Sequence, residues 1–204
     1  MTNIGVLASG EGSNLQAIID AVHKGDISGN VNVVISDQKE ANALNRAKQS
    51  SIDALYIDPR KHESKADYEM ALATVLIDKQ VDLVVLAGYM RLLSPAFVQR
   101  FHNRILNIHP ALLPAFPGLN SIQQAVDYGV KVIGCTVHFV DEGVDSGPIL
   151  MQESFPVLQG DDIKTLTERM HVIEHRLYPQ AIELFCRGHI IIKGRRCYIH
   201  GEER

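Results

Sequence analysis

Asn107 and His109 stand two residues apart at the end of an apolar run, Ile105, Leu106 and Ile108, that reads as a buried strand. Pro110 and Pro114 follow and stop both ladder pairing and an immediate helix. On extended backbone, residues i and i+2 point to one face, so an amide donor and an imidazole that can shuttle a proton converge on one small volume. A carboxylate can complete the set. Asp145 is the favoured candidate because Gly143 and Gly147 shape the backbone around it, inside the acidic loop Asp141-Glu142-Gly143-Val144-Asp145-Ser146-Gly147-Pro148. Strand-like segments at 131–140 and 149–157 tether that loop at both ends. No Ser or Cys has a nearby base in a GxSxG or Cys/His setting, and the nine histidines include no HExxH. The chemistry that fits is acyl transfer in which the substrate brings its own nucleophile. The plainer alternative is a polar strand end capping loop carbonyls, beside a hairpin loop with ordinary Asp and Gly content. His138 reads as a packed strand residue.

A second group concerns anions. The run Ile4 to Ala8 ends in Ser9-Gly10-Glu11-Gly12-Ser13-Asn14, after which Leu15, Ile18, Ile19 and Val22 recur at helical spacing. Strand, glycine turn and helix place free N–H groups where an anion binds. Leu15 replaces the third Gly of a dinucleotide fingerprint and no Lys-Ser/Thr follows, so a monophosphate on Gly12, Ser13 and Asn14 fits best. The alternative is a tight turn with Ser13 or Asn14 as helix cap. His171 and Glu174, three apart on a long helix, can face one ligand. Gly88 to Leu93 leaves a strand with Arg91 among apolar side chains, which suits a flat, partly polar ligand. Asp37 stands near the place of a ribose-binding acid but reads as a cap or turn residue.

The elements that must hold these groups are alternating strands and helices. Strands are expected at 4–8, 31–35, 54–57, 81–87, up to 109, 131–140 and 149–157. Helices are expected from Leu15, at 41–49, 65–79 and 121–127, and from Asp161 or Asp162 to about Arg187, with a loop at 58–63. The near-continuous apolar run Val81 to Ala87 indicates a strand buried on both faces. The fold class is therefore α/β: a Rossmann-like, mostly parallel twisted sheet with helices on both faces, ending in a long helix and a short antiparallel hairpin that turns at Gly194. With 204 residues, 46% apolar and 22% charged, one domain over 1–204 is expected. Its first half, about 1–100, would carry phosphate-binding βα units, and about 101–204 the catalytic part. A net charge of −4 without a basic block argues against nucleic acid. Three cysteines without CxxC pairing argue against a disulfide framework or thiolate zinc site. No metal, membrane span or signal peptide is expected, which points to the cytoplasm.

Four blocks, Ser9 to Gln16, Leu86 to Arg91, Asn107 to Pro114 and Asp141 to Pro148, together resemble the phosphoribosylglycinamide formyltransferases, folate-dependent one-carbon enzymes of purine synthesis. The middle two also resemble methionyl-tRNA formyltransferase and formyltetrahydrofolate hydrolase. Those siblings carry extra domains that do not fit into 204 residues. The resemblance implies 10-formyltetrahydrofolate as co-substrate and 5-phosphoribosylglycinamide as acceptor, both small molecules, on a monomer or homodimer. It implies Asn107, His109 and Asp145 as catalytic groups. It puts the acceptor on Gly12, Ser13, Asn14, His171 and Glu174. The folate would lie on Met90, Arg91, Leu92, Leu93, Asn107 and the segment Asp141, Glu142, Gly143, Val144 and Asp145, with Lys65. The sequence departs from the family at Ala111 (usually Ser), at Ala115-Phe116 (usually Lys-Tyr) and at Lys65 (often Arg). A formyltransferase acting on another amine and a non-catalytic Rossmann-like binding module are the rival expectations.

Overall fold

The computed structural model describes residues 1–200. Nine strands and six α-helices follow one another as β1 (Thr2–Ala8), α1 (Ser13–Lys24), β2 (Gly29–Ser36), α2 (Asn42–Gln49), β3 (Asp53–Tyr56), α3 (Lys65–Asp78), β4 (Leu83–Leu86), α4 (Pro95–Arg100), β5 (Ile105–His109), α5 (Ser121–Tyr128), β6 (Val132–Phe139), β7 (Ile149–Pro156), α6 (Ile163–Cys186), β8 (Ile190–Lys193) and β9 (Arg196–Ile199). The strands form one sheet in the order β3-β2-β1-β4-β5-β6-β7-β9-β8. β3 through β5 pair in parallel, and β6 and β7 then run antiparallel.

β1 and β4 lie inside the parallel part of the sheet with their apolar residues buried, as a strand covered on both faces requires. One apolar layer packs α1, α2, α5 and α6 residues such as Leu15, Leu44, Ala125 and Leu177 against one face. The other packs Tyr68, Leu72 and Leu76 of α3 and Phe97 and Val98 of α4 against the opposite face. A buried hydroxyl adds a polar tie between the long C-terminal helix and the sheet. The buried Tyr178 hydroxyl lies 2.9 Å from both the Leu86 and the Leu106 carbonyl oxygens, where β4 and β5 run side by side.

Several local expectations change. α4 follows Ser94, whose side chain accepts from the Phe97 N–H, with Pro95 in the first turn; its six residues are too few to show a helical period. The 58–63 stretch holds a 3₁₀ turn, Pro59–Lys61, capped by Asp58. β4 spans Leu83–Leu86 rather than 81–87, because the Val81 N–H closes the end of α3 on the Leu76 carbonyl. Neither Ser13 nor Asn14 caps α1: the cap position is Gly12, left-handed at φ 74°. A Cβ at Gly12 would come within 2.8 Å of the Ala43 backbone, so the turn requires glycine both for its dihedral and for its approach to α2. Asp37 caps no helix either, since α2 begins after Ala41 without a side-chain cap.

Candidate active site

β5 carries Asn107 and His109 to the carboxyl end of the sheet, and antiparallel β6 lays His138 opposite Asn107. The loop between β6 and β7 folds back over both. Gly147 makes this possible, because a Cβ there would lie 1.8 Å from the Phe139 carbonyl oxygen. Within the loop, Asp141 accepts from the Gly143 N–H (3.1 Å) and the Ser146 hydroxyl (2.6 Å). That turn presents Asp145 in a left-handed conformation, φ 49°.

The Asp145 carboxylate is the hub. Its Oδ2 lies 3.4 Å from His109 Nδ1 and accepts from the Gly118 N–H at 2.8 Å. Its Oδ1 lies 3.5 Å from Asn107 Nδ2 and 3.7 Å from His138 Nε2. Burial works to raise the Asp145 carboxyl, but His138, the Gly118 N–H and the charge of His109 outweigh it and hold the group below its ordinary value. His138 Nδ1 donates to the Phe139 carbonyl (2.9 Å), and its Nε2 stands 3.2 Å from Asn107 Nδ2 and 3.7 Å from Asp145 Oδ1, accepting from the amide when neutral and facing the carboxylate when protonated. His109 Nε2 donates to the Phe116 carbonyl (2.9 Å). The segment after β5 is pinned to the sheet. Thr136 accepts from the Leu113 N–H and donates to the Ala111 carbonyl, and Gln152 donates to Leu113.

Sequence reasoning set His138 aside as a packed strand residue. It is 2% exposed, as that reading requires, yet its imidazole touches both Asn107 and Asp145. Only the pairing of β5 with β6 reveals this.

The anion group assembles separately. The Ser9 N–H donates to the Gly88 carbonyl and the Met90 N–H donates to Ser9 Oγ, so the glycine turn is tied to the segment after β4. No side chain caps α1 and its first turn holds no acid. Asn14 Nδ2 donates to Glu174 on α6 (3.1 Å), a contact across 160 residues. Burial pushes the Glu174 carboxyl up to about 7 despite that bond. His171 does not share the Glu174 environment: it is exposed and stacks on His175 at 5.8 Å. β1 and β5 flank β4, so the turn and Asn107 lie roughly 10 Å apart across the sheet, two strand spacings.

Around the segment after β4, Met90 and Leu92 are exposed, 68% and 65%, and the Arg91 guanidinium sits 5.4 Å over the Tyr68 ring. Lys65 faces Glu69 at 3.8 Å; no hydrogen bond or ion pair joins it to Asn107, His109 or Asp145 among the described residues. Glu142 accepts from Gln99 of α4 (2.7 Å), which ties the 141–148 loop to that helix, and Val144 is 48% exposed. No group of three His, Cys, Asp or Glu side chains is arranged to hold a metal ion among the described residues, and no helix there is long and apolar enough to cross a membrane.

Against known proteins, the pattern of the formyl transferase family matches residues 2–182. The chain belongs to the formyl transferase family. A phosphoribosylglycinamide formyltransferase of Haemophilus influenzae is 42% identical to this formyl transferase over 202 residues, 99% of this chain and 95% of that protein. The trifunctional purine biosynthetic protein adenosine-3 of Homo sapiens is 41% identical over 98% of this chain, which spans only 20% of that longer protein. Among solved structures, glycinamide ribonucleotide transformylase 1 from Symbiobacterium toebii superposes with a TM-score of 0.96 at 54% identity, covering 98% of this formyl transferase and 94% of that chain.

Proposed function

We propose that this formyl transferase moves the formyl group of 10-formyltetrahydrofolate to the primary amine of 5-phosphoribosylglycinamide, with Asn107, His109 and Asp145 as catalytic groups. The carrying observation is the single carboxylate, Asp145, within 3.4 Å of His109 Nδ1 and 3.5 Å of Asn107 Nδ2 at the carboxyl end of the sheet. The names of the relatives support the acceptor, and the uncapped α1 N-terminus beside Gly12, Ser13 and Asn14 supports assigning its phosphate to that turn.

Attack of the amine on the formyl carbon forms a C–N bond and puts a negative charge on the formyl oxygen. Donors fixed before the charge appears stabilise it most. Asn107 turns its two N–H bonds to His138 (3.2 Å) and Asp145 (3.5 Å), and the one on the longer contact passes to that oxygen when the donor enters. The ionised Asp145 supplies the counter-charge when His109 carries a proton on both nitrogens. His109 then delivers a proton to the departing folate nitrogen as the C–N bond to folate breaks, and the proton lost by the amine restores it. His109 Nε2 exchanges the Phe116 carbonyl for the substrate as the donor enters. Met90, Arg91, Leu92 and Leu93 are assigned with the 141–145 segment to the folate slot, and Lys65 to its edge. Glu174 takes acceptor hydroxyls beside Asn14, with His171 at the rim.

A steady-state assay with both substrates tests this directly. Asp145→Ala should lose about 10²–10³ in turnover while remaining folded; near-parental turnover removes Asp145 from the mechanism. An acceptor analogue without the phosphate should bind at least about tenfold more weakly, and equal binding means the phosphate does not sit on the Gly12 turn.

A further inference from the structure

Asp37 has no part in the chemistry above, yet it is built like a ligand group. It follows β2 directly, at the carboxyl end of the sheet, and is 5% exposed. Its Oδ2 accepts from the Gln38 side chain at 3.1 Å, while its buried Oδ1 has no hydrogen-bond partner among the described residues. A buried carboxylate oxygen without a donor carries a large desolvation cost. Asp37 lines a cavity of about 360 Å³, at the lower end of the roughly 300–1,000 Å³ range of small-molecule sites.

The other walls of this cavity have a definite chemistry. Lys39, Arg60 and Arg91 contribute cations, Glu40 and Asp58 contribute further carboxylates, and the Tyr56 ring contributes a flat surface. Lys39 and Arg91 form no ion pair among the described residues, whereas Asp58 fixes Arg60 through Nε (2.9 Å) and Nη2 (3.0 Å). An unpartnered acceptor and two cations without an ion pair in one cavity fit a molecule bearing hydroxyl donors and an anion. In doubly wound sheets the acid after the second strand of such a unit takes ribose hydroxyls, and Asp37 stands at that place.

We propose that the cavity at the carboxyl ends of β2 and β3 is a second ligand site that binds a nucleoside monophosphate, with Asp37 accepting from the ribose hydroxyls and Lys39, Arg60 and Arg91 facing the phosphate. The site is distinct from the Gly12 turn, on which the acceptor phosphate is placed. It shares Arg91 with the folate slot, so a bound nucleotide and the formyl donor compete for one cation.

Isothermal titration of the full chain with adenosine 5′-monophosphate, in the absence of folate, tests the site. Saturable binding with one equivalent below about 1 mM is expected. Asp37→Asn and, on the unaltered protein, the 2′,3′-dideoxy nucleotide should each weaken binding at least about tenfold, while Asn14→Ala leaves it unchanged. The dideoxy comparison holds even if Asp37→Asn folds poorly. Absence of saturable binding overturns the proposal, as does binding indifferent to either change at the Asp37–ribose contact. Binding weakened by Asn14→Ala instead would place the nucleotide on the Gly12 turn and equally overturn it, whether or not phosphoribosylglycinamide is the true acceptor.

Discussion

The Asn107 amide has two N–H bonds, and the direction of the second depends on what holds the first. His138 holds it: its Nδ1 is committed to the Phe139 carbonyl at 2.9 Å, so its Nε2 faces Asn107 at 3.2 Å. His138 is a positioning residue on this reading and touches no substrate. His138→Ala should therefore lower kcat by roughly 10- to 100-fold, the scale of a misplaced catalytic group, with KM for both substrates changed far less. A fall in kcat/KM arising only from KM would instead mean that His138 shapes a binding surface. The contrast with its neighbours shows what a chain discloses at this scale. Asn107 and His109 are legible because period-two alternation puts them on one face before Pro110, and Asp145 because Gly143 and Gly147 bracket it. His138 is hidden because a histidine in Val132–Phe139 has the surroundings of a core residue. The cross-strand pairing of Asn107 with His138 is a matter of register, which no local pattern encodes.

At the scale of elements, the helices with long apolar stripes, α1, α3 and α6, stand where their periodicity puts them, whereas α4 had only a cap to announce it, Ser94 followed by Pro95. Position along the chain says nothing of how α6 meets the sheet. Tyr178 does, through a wholly buried hydroxyl whose one hydrogen is shared by the Leu86 and Leu106 carbonyls. Both carbonyls belong to the strands that lead to the Gly88 segment and carry Asn107 and His109, so this bond holds α6 against the floor of the site. Tyr178→Phe keeps the ring and removes the donor, a change expected to cost about 1–2 kcal/mol. For a chain of this length each kcal/mol lowers Tm by about 2–4 °C, which differential scanning calorimetry resolves. An unchanged Tm would show that the hydroxyl contributes nothing beyond the ring's packing.

Across the whole molecule, apolar runs separated by helical stripes disclose an α/β sheet with two covered faces, but not the strand order or the reversal after β5. That reversal brings β6, and with it His138 and the Asp145 loop, onto the carboxyl ends of parallel strands. The order also closes the N-terminal turn onto the last helix through Asn14 and Glu174, and this contact links global stability to pH. Burial raises the Glu174 carboxyl from 4.5 to about 7, with Asn14 opposing only in part. Below pH 4.5 the group is protonated both folded and unfolded, so the full stability is present. Between 4.5 and about 7 the unfolded chain ionises while the folded one keeps its proton, and stability falls; above about 7 the loss is complete. The shift corresponds to roughly 3 kcal/mol. Glu174→Gln keeps an acceptor for Asn14 and removes the titration. Urea unfolding at pH 5 and pH 8 should show wild type losing most of that amount relative to Glu174→Gln. A gap between the two proteins that stays constant with pH would mean that water or a counter-charge reaches the carboxylate, and that the junction of the N-terminal turn with α6 is open where the fold makes it closed.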